Sequence, residues 1–273
     1  MVRLSLSIVS NLNESKNNKE AIIKKFESIC ELIKPLNYDG IELSLLEPEK
    51  VEIGEILEVC DSYNLKIPAL GTGSTYIRLG YSFGDSQELI RKKAIERVSK
   101  YIDFAQKSHS KVIIGLIRGR FKCDSNPSKE RMNIISSLKE CCQMAANQDV
   151  QLVFEPINSF EIDSFNTISQ SRELLEEIGS DHLKLLIDSF HTYLEEDPIY
   201  VWEELKEVIP LVHHVHLADT TRRAPGSGHF DFKSFLRLFK ASDYSGFVSL
   251  ETIMKPSFEE VAKTSSYYLK SIL

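Results

Sequence analysis

The sequence predicts an α/β fold, a single (β/α)8 TIM barrel formed by residues 1–273 as one domain. Strand and helix signals alternate from one end of the chain to the other through eight cycles. Most strand segments are short and apolar on both faces, as parallel strands covered by helices must be. No Pro-, Gly- or Ser-rich linker and no shift of composition divides the 273 residues, a length close to the roughly 250 typical of such barrels.

The first strand is expected over Arg3 to Val9, where Leu4, Leu6 and Ile8 alternate with Arg3, Ser5 and Ser7, and an amphipathic helix over Lys19 to Lys34 follows it. Gly40 to Leu45 reads as the second strand and Ile53 to Tyr63 as its helix; Lys66 to Leu70 is a short third strand. A long helix then places Ile90, Ala94, Val98, Tyr101 and Ala105 at helical spacing. Lys111 to Ile117 is a β-branched fourth strand, followed by a helix over Ser128 to Asn147. Val150 to Phe154, Leu183 to Ile187, Leu211 to Leu217 and Gly246 to Leu250 complete the strands. Helices over Thr167 to Ile178, Ile199 to Ile209, Phe232 to Ala241 and Phe258 to Leu273 separate and end them. A doubly wound open sheet would need a glycine fingerprint after the first strand, where the chain reads Ser10-Asn11-Leu12-Asn13.

Composition narrows the function. With 42% hydrophobic and 27% charged residues the chain is neither disordered nor collagen-like. It has no apolar run of 18 residues, so no membrane span or membrane partner is expected. Met1 to Ser10 lacks a charged leader with a long apolar centre, so no secretion signal is expected. A net charge of −7 weighs against nucleic acid as a partner. The five cysteines (Cys30, Cys60, Cys123, Cys141, Cys142) form no C-x-x-C pair, which points to buried thiols in a reducing cytoplasm rather than to disulfides or a zinc ribbon.

In such a barrel the active site lies at the C-terminal ends of the strands. Glu155 follows the fifth strand, Asp188 the sixth and Glu251 the eighth, while the seventh carries His214 and His216. These carboxylates and imidazoles on one rim suit a divalent cation of the manganese, magnesium, cobalt or zinc type. Three carboxylates brought together would be costly to bury without a cation. His214 and His216 share a strand face, and one of them suffices for the ion; the other is then a hydrogen-bonded histidine of the barrel lining. His109 and His182 sit near helix–strand turns and read as surface or packing residues. Glu161, His191, Arg222, Arg223 and Pro225-Gly226-Ser227-Gly228 also fall on the rim, the last either a tight turn or a source of backbone N–H groups for an oxygen-rich ligand. Arg118 and Arg120, after the fourth strand, are candidate contacts for a carboxylate or phosphate.

Several motifs together resemble the sugar isomerase/epimerase family of xylose-isomerase-like TIM barrels, whose best-known members are ketose 3-epimerases. They are Glu155-Pro-Ile-Asn-x-x-Glu161, Ile187-Asp188-x-x-His191, His214-Val215-His216-x-x-Asp219-x-x-Arg222-x-x-Pro225-Gly226-x-Gly228 and Gly246-x-x-x-x-Glu251, with Tyr38-Asp39-Gly40-Ile41-Glu42 on the second strand. Gly71-Thr72-Gly73-x-x-Tyr76, the Ile113–Arg120 segment and Ala224–Phe232 look like the bacterial 5-keto-L-gluconate epimerases, which act on keto sugar acids. The resemblance implies one divalent metal ion (Mn, Mg or Co, with Zn as an option) held by Glu155, Asp188, His216 and Glu251, and no organic cofactor. It implies Glu155 and Glu251 as the acid/base pair and Glu161, His191 and Arg222 as holders of the substrate's oxygens. The substrate would be a keto sugar or keto sugar acid, epimerised through a cis-enediolate that the metal stabilises. Where the family often has arginine after the motif's Asn, this chain has Ser159. The arginines favour an acidic sugar, with Arg118 and Arg120 as substrate contacts. The alternatives are an aldose–ketose isomerase (hydroxypyruvate or sugar-phosphate type) and an abasic-site-endonuclease-like nuclease. The latter needs more histidines than the early strands supply; His229-x-Asp231 is its one reminder. Barrels of this size often form homo-oligomers.

Overall fold

Regular alternation of strand and helix signals yields one closed ring of strands in a computed structural model, which describes residues 5–12, 19–121 and 127–272. β1 (Ser5–Asn11) leads to α1 (Lys19–Ile33), β2 (Gly40–Ser44) to α2 (Ile53–Ser62), and β3 (Ala69–Gly71) to α3 (Gly73–Leu79) and α4 (Glu88–Ser108). β4 (Lys111–Ile114) leads to α5 (Pro127–Asn147), β5 (Leu152–Phe154) to α6 (Ile168–Ile178), and β6 (Leu183–Asp188) to α7 (Ser189–Glu195) and α8 (Val201–Val208). β7 (Val212–Leu217), α9 (Phe232–Lys240), β8 (Phe247–Leu250) and α10 (Phe258–Ile272) end the chain. Each strand pairs in parallel with the next, and β8 pairs back onto β1. The expected TIM barrel is therefore the fold.

The differences from expectation have local causes. The third strand starts later than Lys66: Pro68 has no N–H to donate, and Lys66 contributes only an isolated bridge to Gly40. The fourth ends at Ile114, after which Leu116–Arg118 tighten into a 3-10 turn. α7 was not expected; at seven residues it is too short for a helical stripe, and the Asp188 carboxylate starts it by accepting the backbone N–H groups of Phe190 and His191. α3 is equally short. Arg3 and Leu4 of the expected first strand, Cys123 and Leu273 lie outside the described residues. Cys30, Cys60, Cys141 and Cys142 are buried and unpaired. Among the described residues, no helix is long and apolar enough to cross a membrane.

Side-chain alternation sets the two layers of the core. Ile41, Leu43, Val112, Ile114, Leu152, Phe154, Leu185, Ile187, Val215, Leu217, Val248 and Leu250 pack outward into one large cluster with the helices. Each such aliphatic side chain stabilises the fold by roughly 1.5–3 kcal/mol through burial. The residues between them point into the barrel. Ala69, Ile113, Val153 and Leu186 form a separate apolar cluster there, while Glu42, His214, His216 and Ser249 are buried polar groups.

Candidate active site

The inward phase places the rim residues. Glu155 lies two residues beyond Val153, Asp188 two beyond Leu186, His216 two beyond His214 and Glu251 two beyond Ser249, so all four continue the inward rows at the C-terminal mouth. One donor atom from each of Glu155, Asp188, His216 and Glu251 falls within 4.8 Å of all the others. His216 Nδ1 stands 3.6 Å from Glu155 Oε1, 3.8 Å from Asp188 Oδ2 and 3.5 Å from Glu251 Oε2. Donors about 2.1 Å from a common ion are roughly 3–3.5 Å apart, so this cluster needs only a small contraction. Glu155 Oε1 and His216 Nδ1 are buried with no hydrogen-bond partner. Unpaired polar atoms of this kind are costly, and both face the same centre. Asp188 divides its two oxygens: Oδ1 starts α7 and Oδ2 faces the cluster. The donor set thus fits a divalent metal ion.

The charges are uneven. Burial acts most strongly on Glu155 and raises its pKa, and the charge of Glu251 adds to this. Burial also acts upward on Glu251, but His216 and Arg222 outweigh it and hold its carboxyl down at about 2. Behind the cluster, Glu42 of β2 is 1% exposed and lies against both histidines of β7. Burial would raise its pKa, yet His216 and His214 hold it well below the usual carboxylate range.

A second tier lies on the β5–α6 connection, on α7 and on the β7–α9 connection. Asn158 Oδ1 accepts the N–H groups of Phe160 and Glu161, which orients its amide. Its Nδ2 therefore donates to His191 Nδ1 at 2.6 Å, leaving His191 Nε2–H directed at the site, 3.8 Å from Glu155 Oε1. Arg222 donates to Glu161 Oε1 and, at 3.3 Å, to Glu251 Oε2, with its guanidinium over the Phe190 ring. The side chains of Arg222, Glu161 and Glu251 are 28%, 30% and 33% exposed, enough for a ligand entering the mouth to touch them.

Of the two arginines after the fourth strand, Arg118 is a correction. Arg118 is fully buried, and its guanidinium donates to the carbonyls of Ser164, Gly115, Glu155 and Phe165 and stacks over Phe154. It ties the β5–α6 loop to β4 and offers nothing to a substrate anion. Arg120 donates to the carbonyls of Phe160 and Glu161 on the same loop. Ser159 gives both its N–H and its hydroxyl to Glu195 Oε2, each at 2.9 Å. The glycine-rich turn is also structural, because the N–H groups of Thr220, Gly226 and Phe230 go to the Asp219 carboxylate. A Cβ on Gly228 would lie 2.2 Å from Asp219 Oδ1, and Gly226 adopts φ +90° against Tyr268. His109 ends α4 and His182 meets the carbonyl of Val150, both away from the site. His229 is exposed and Asp231 caps α9.

Two residues carried no assigned role in the sequence: Glu42 and Asn158. A lone glutamate in the apolar run Gly40-Ile41-Glu42-Leu43 was the available signal for the first. Its partners stand about 170 residues away, in a strand only barrel closure brings near.

A family model described as xylose isomerase-like TIM barrel matches residues 30–272. The 3-dehydro-D-guloside 4-epimerase of Escherichia coli (strain K12) is 27% identical over 242 residues, covering 85% of this chain and 87% of that protein. The L-ribulose 3-epimerase of Methylomonas sp. (strain DH-1) is 24% identical over 220 residues, 79% of this chain and 74% of that one. Among solved structures, a D-allulose 3-epimerase from Methylomonas sp. in complex with D-allulose superposes with a TM-score of 0.84 at 18% identity, covering 100% of this chain and 98% of that one. These relatives are carbohydrate epimerases by name. Barrel topology, a four-donor rim on the last four strands and a match over most of the length agree: the chain belongs to the xylose isomerase-like TIM barrel family.

Proposed function

We propose that the chain is a divalent-metal-dependent epimerase of a keto sugar, inverting the carbon beside the ketone by removing a proton on one face and returning one on the other. The observation that carries this reading is the convergence of Glu155, Asp188, His216 and Glu251, with two of their atoms buried and unpartnered. Glu155 and Glu251 come from β5 and β8, on well-separated arcs of an eight-strand ring, so they approach a molecule in the mouth from different sides. The epimerase names of the relatives support the same reaction class.

Glu155, Asp188, His216 and Glu251 would hold a divalent cation, which would polarise a ketone and favour the negative charge that develops when the adjacent C–H breaks. The protein supplies the proton transfers. Glu251, beside the Arg222 guanidinium, takes the proton from one epimer. Glu155 returns one from the other face, and the roles reverse for the opposite epimer. His191 Nε2–H and the Arg222 guanidinium donate to the substrate's oxygens as charge builds on them, and Glu161 accepts from a hydroxyl. Asn158 keeps His191 in the donating tautomer.

A keto sugar acid would call for a cation to meet its carboxylate. Arg118 and Arg120 are engaged with main-chain carbonyls, and Arg222 already faces two carboxylates. A neutral keto sugar needs no such cation, whereas an acid would have to be met by the exposed Arg120 or Arg223. The test is incubation of the Mn2+-loaded protein with keto sugars and keto sugar acids in heavy water. Deuterium at one carbon with inversion supports the proposal; migration of the carbonyl would make it an aldose–ketose isomerase, and no exchange with any substrate would refute it.

A further inference from the structure

We propose that Glu42 is a positioning residue that holds the His216 imidazole with Nε2 protonated, so that Nδ1 offers its lone pair to the ion. The inference rests on the metal reading above and concerns a residue behind the site rather than in it. Glu42 reaches across the barrel from β2 to β7. His216 Nε2 lies 3.1 Å from its Oε1 and 3.2 Å from its Oε2, and His214 Nε2 lies 2.7 Å from Oε2. An ionised carboxylate only accepts hydrogen bonds, so both rings must donate to it through Nε2–H. With Nε2–H committed to Glu42, Nδ1 is the one nitrogen His216 can offer an ion, releasing any proton it carries as the ion binds, and it is the atom found without a partner and facing three carboxylates. A histidine whose second nitrogen donates to a carboxylate is fixed in orientation and made a stronger ligand.

Two other roles for this trio fit less well. As a second ion site, Glu42, His214 and His216 would need donors roughly 3 Å or more apart around a common ion, but His214 and Glu42 are at hydrogen-bond distance. As a purely structural pair, Glu42 and His214 would suffice, with Ser249 Oγ sharing the His214 Nε2–H at 3.0 Å and no need for the carboxylate to reach His216. The divided carboxylate instead ties His216 to a second strand and stops its ring from turning.

The experiment measures Mn2+ affinity by calorimetry in the wild type, Glu42→Gln and His214→Gln, with 15N NMR of the histidines in the Mg2+-loaded wild type. In Glu42→Gln one of the two oxygens becomes an NH2 that cannot accept, so at least one contact to an Nε2–H is lost or reversed and the hold on the tautomer weakens with almost no change in side-chain volume. Glu42→Gln is expected to weaken Mn2+ binding by about 10–100-fold, while His214→Gln, which leaves Glu42 to His216, changes it by less than about 3-fold. NMR of the wild type is expected to show His216 protonated at Nε2. Equal weakening in both variants, unchanged binding in Glu42→Gln, or His216 protonated at Nδ1 in the wild type would each overturn the proposal. The NMR arm stands even where a variant does not fold. Absence of Mn2+ binding by the wild type would remove the metal reading and this inference together, whereas the other outcomes leave the metal reading intact.

Discussion

Val153 and Leu186 on one side of the barrel occupy the same kind of inward position as His214 and Ser249 on the other. The first side, lined from β3 to β6 by Ala69, Ile113, Val153 and Leu186, is a buried apolar cluster. The second, lined from β2, β7 and β8 by Glu42, His214, His216 and Ser249, is a buried hydrogen-bonded network. The four rim residues divide between them: Glu155 and Asp188 stand above the apolar side, His216 and Glu251 above the polar side. One pair is therefore aimed by close packing, which resists displacement because interiors are dense. The other is aimed by directed hydrogen bonds, which also choose a tautomer. A buried polar network is stabilising only when fully satisfied, so the polar side depends on every member in a way the apolar side does not.

The largest expected effects come from the rim. Glu155→Gln and Glu251→Gln each lower kcat by about 10²–10⁴-fold, measured as deuterium exchange into the substrate; activity above a tenth of wild type in either would exclude the two-carboxylate scheme. Next comes the apolar side. Leu186→Ala destabilises the fold by about 2–5 kcal/mol through the cavity it leaves, read from the urea midpoint, while the His216 tautomer seen by NMR stays unchanged. A shift of that tautomer would show that the two sides are not independent. Removal of the ion follows: at 100–1,000 times its Kd, Mn2+ stabilises by about 3–4 kcal/mol, so chelation lowers Tm by several degrees. An identical Tm with and without the ion would contradict the site.

The smallest effect lies outside both sides and calibrates them. Glu196, at the end of α7, accepts the N–H of Ile168 at 2.7 Å, and burial followed by the neighbouring Glu204 raises its pKa to about 7. The folded state keeps a proton that the unfolded chain has released, so the stabilising contribution is full at low pH and fades as pH rises toward 7. Glu196→Gln should therefore be more stable than wild type at pH 8, on the order of 1 kcal/mol, and equal to it at pH 4. A pH-independent difference in Tm would assign the effect to packing.

Much of the site was legible because a barrel turns strand order into geometry. Glu155, Asp188 and Glu251 each follow or end an apolar strand and His214 and His216 share a face of β7, so counting residues along the chain placed them on one rim. Arg118 illustrates what counting misses. Its position after β4 also lies near the rim, but the tight turn at Leu116–Arg118 folds its side chain into the wall, where carbonyls of the β5–α6 loop take its donors. No local pattern distinguishes an arginine aimed at a ligand from one that staples a loop. α7 was missed for a related reason: it exists because Asp188 caps it, not because of its own periodicity.

Periodicity and strand order alone determined the barrel and a rim of Glu155, Asp188, Glu251 and one of two β7 histidines, since alternation and helical spacing are local properties of the chain. Tertiary structure decided which histidine faces the ion centre, what Glu42 is for, and that Arg118 belongs to the wall. Those depend on contacts between β2 and β7, or between β4 and the β5–α6 loop, and such contacts exist only once the ring has closed.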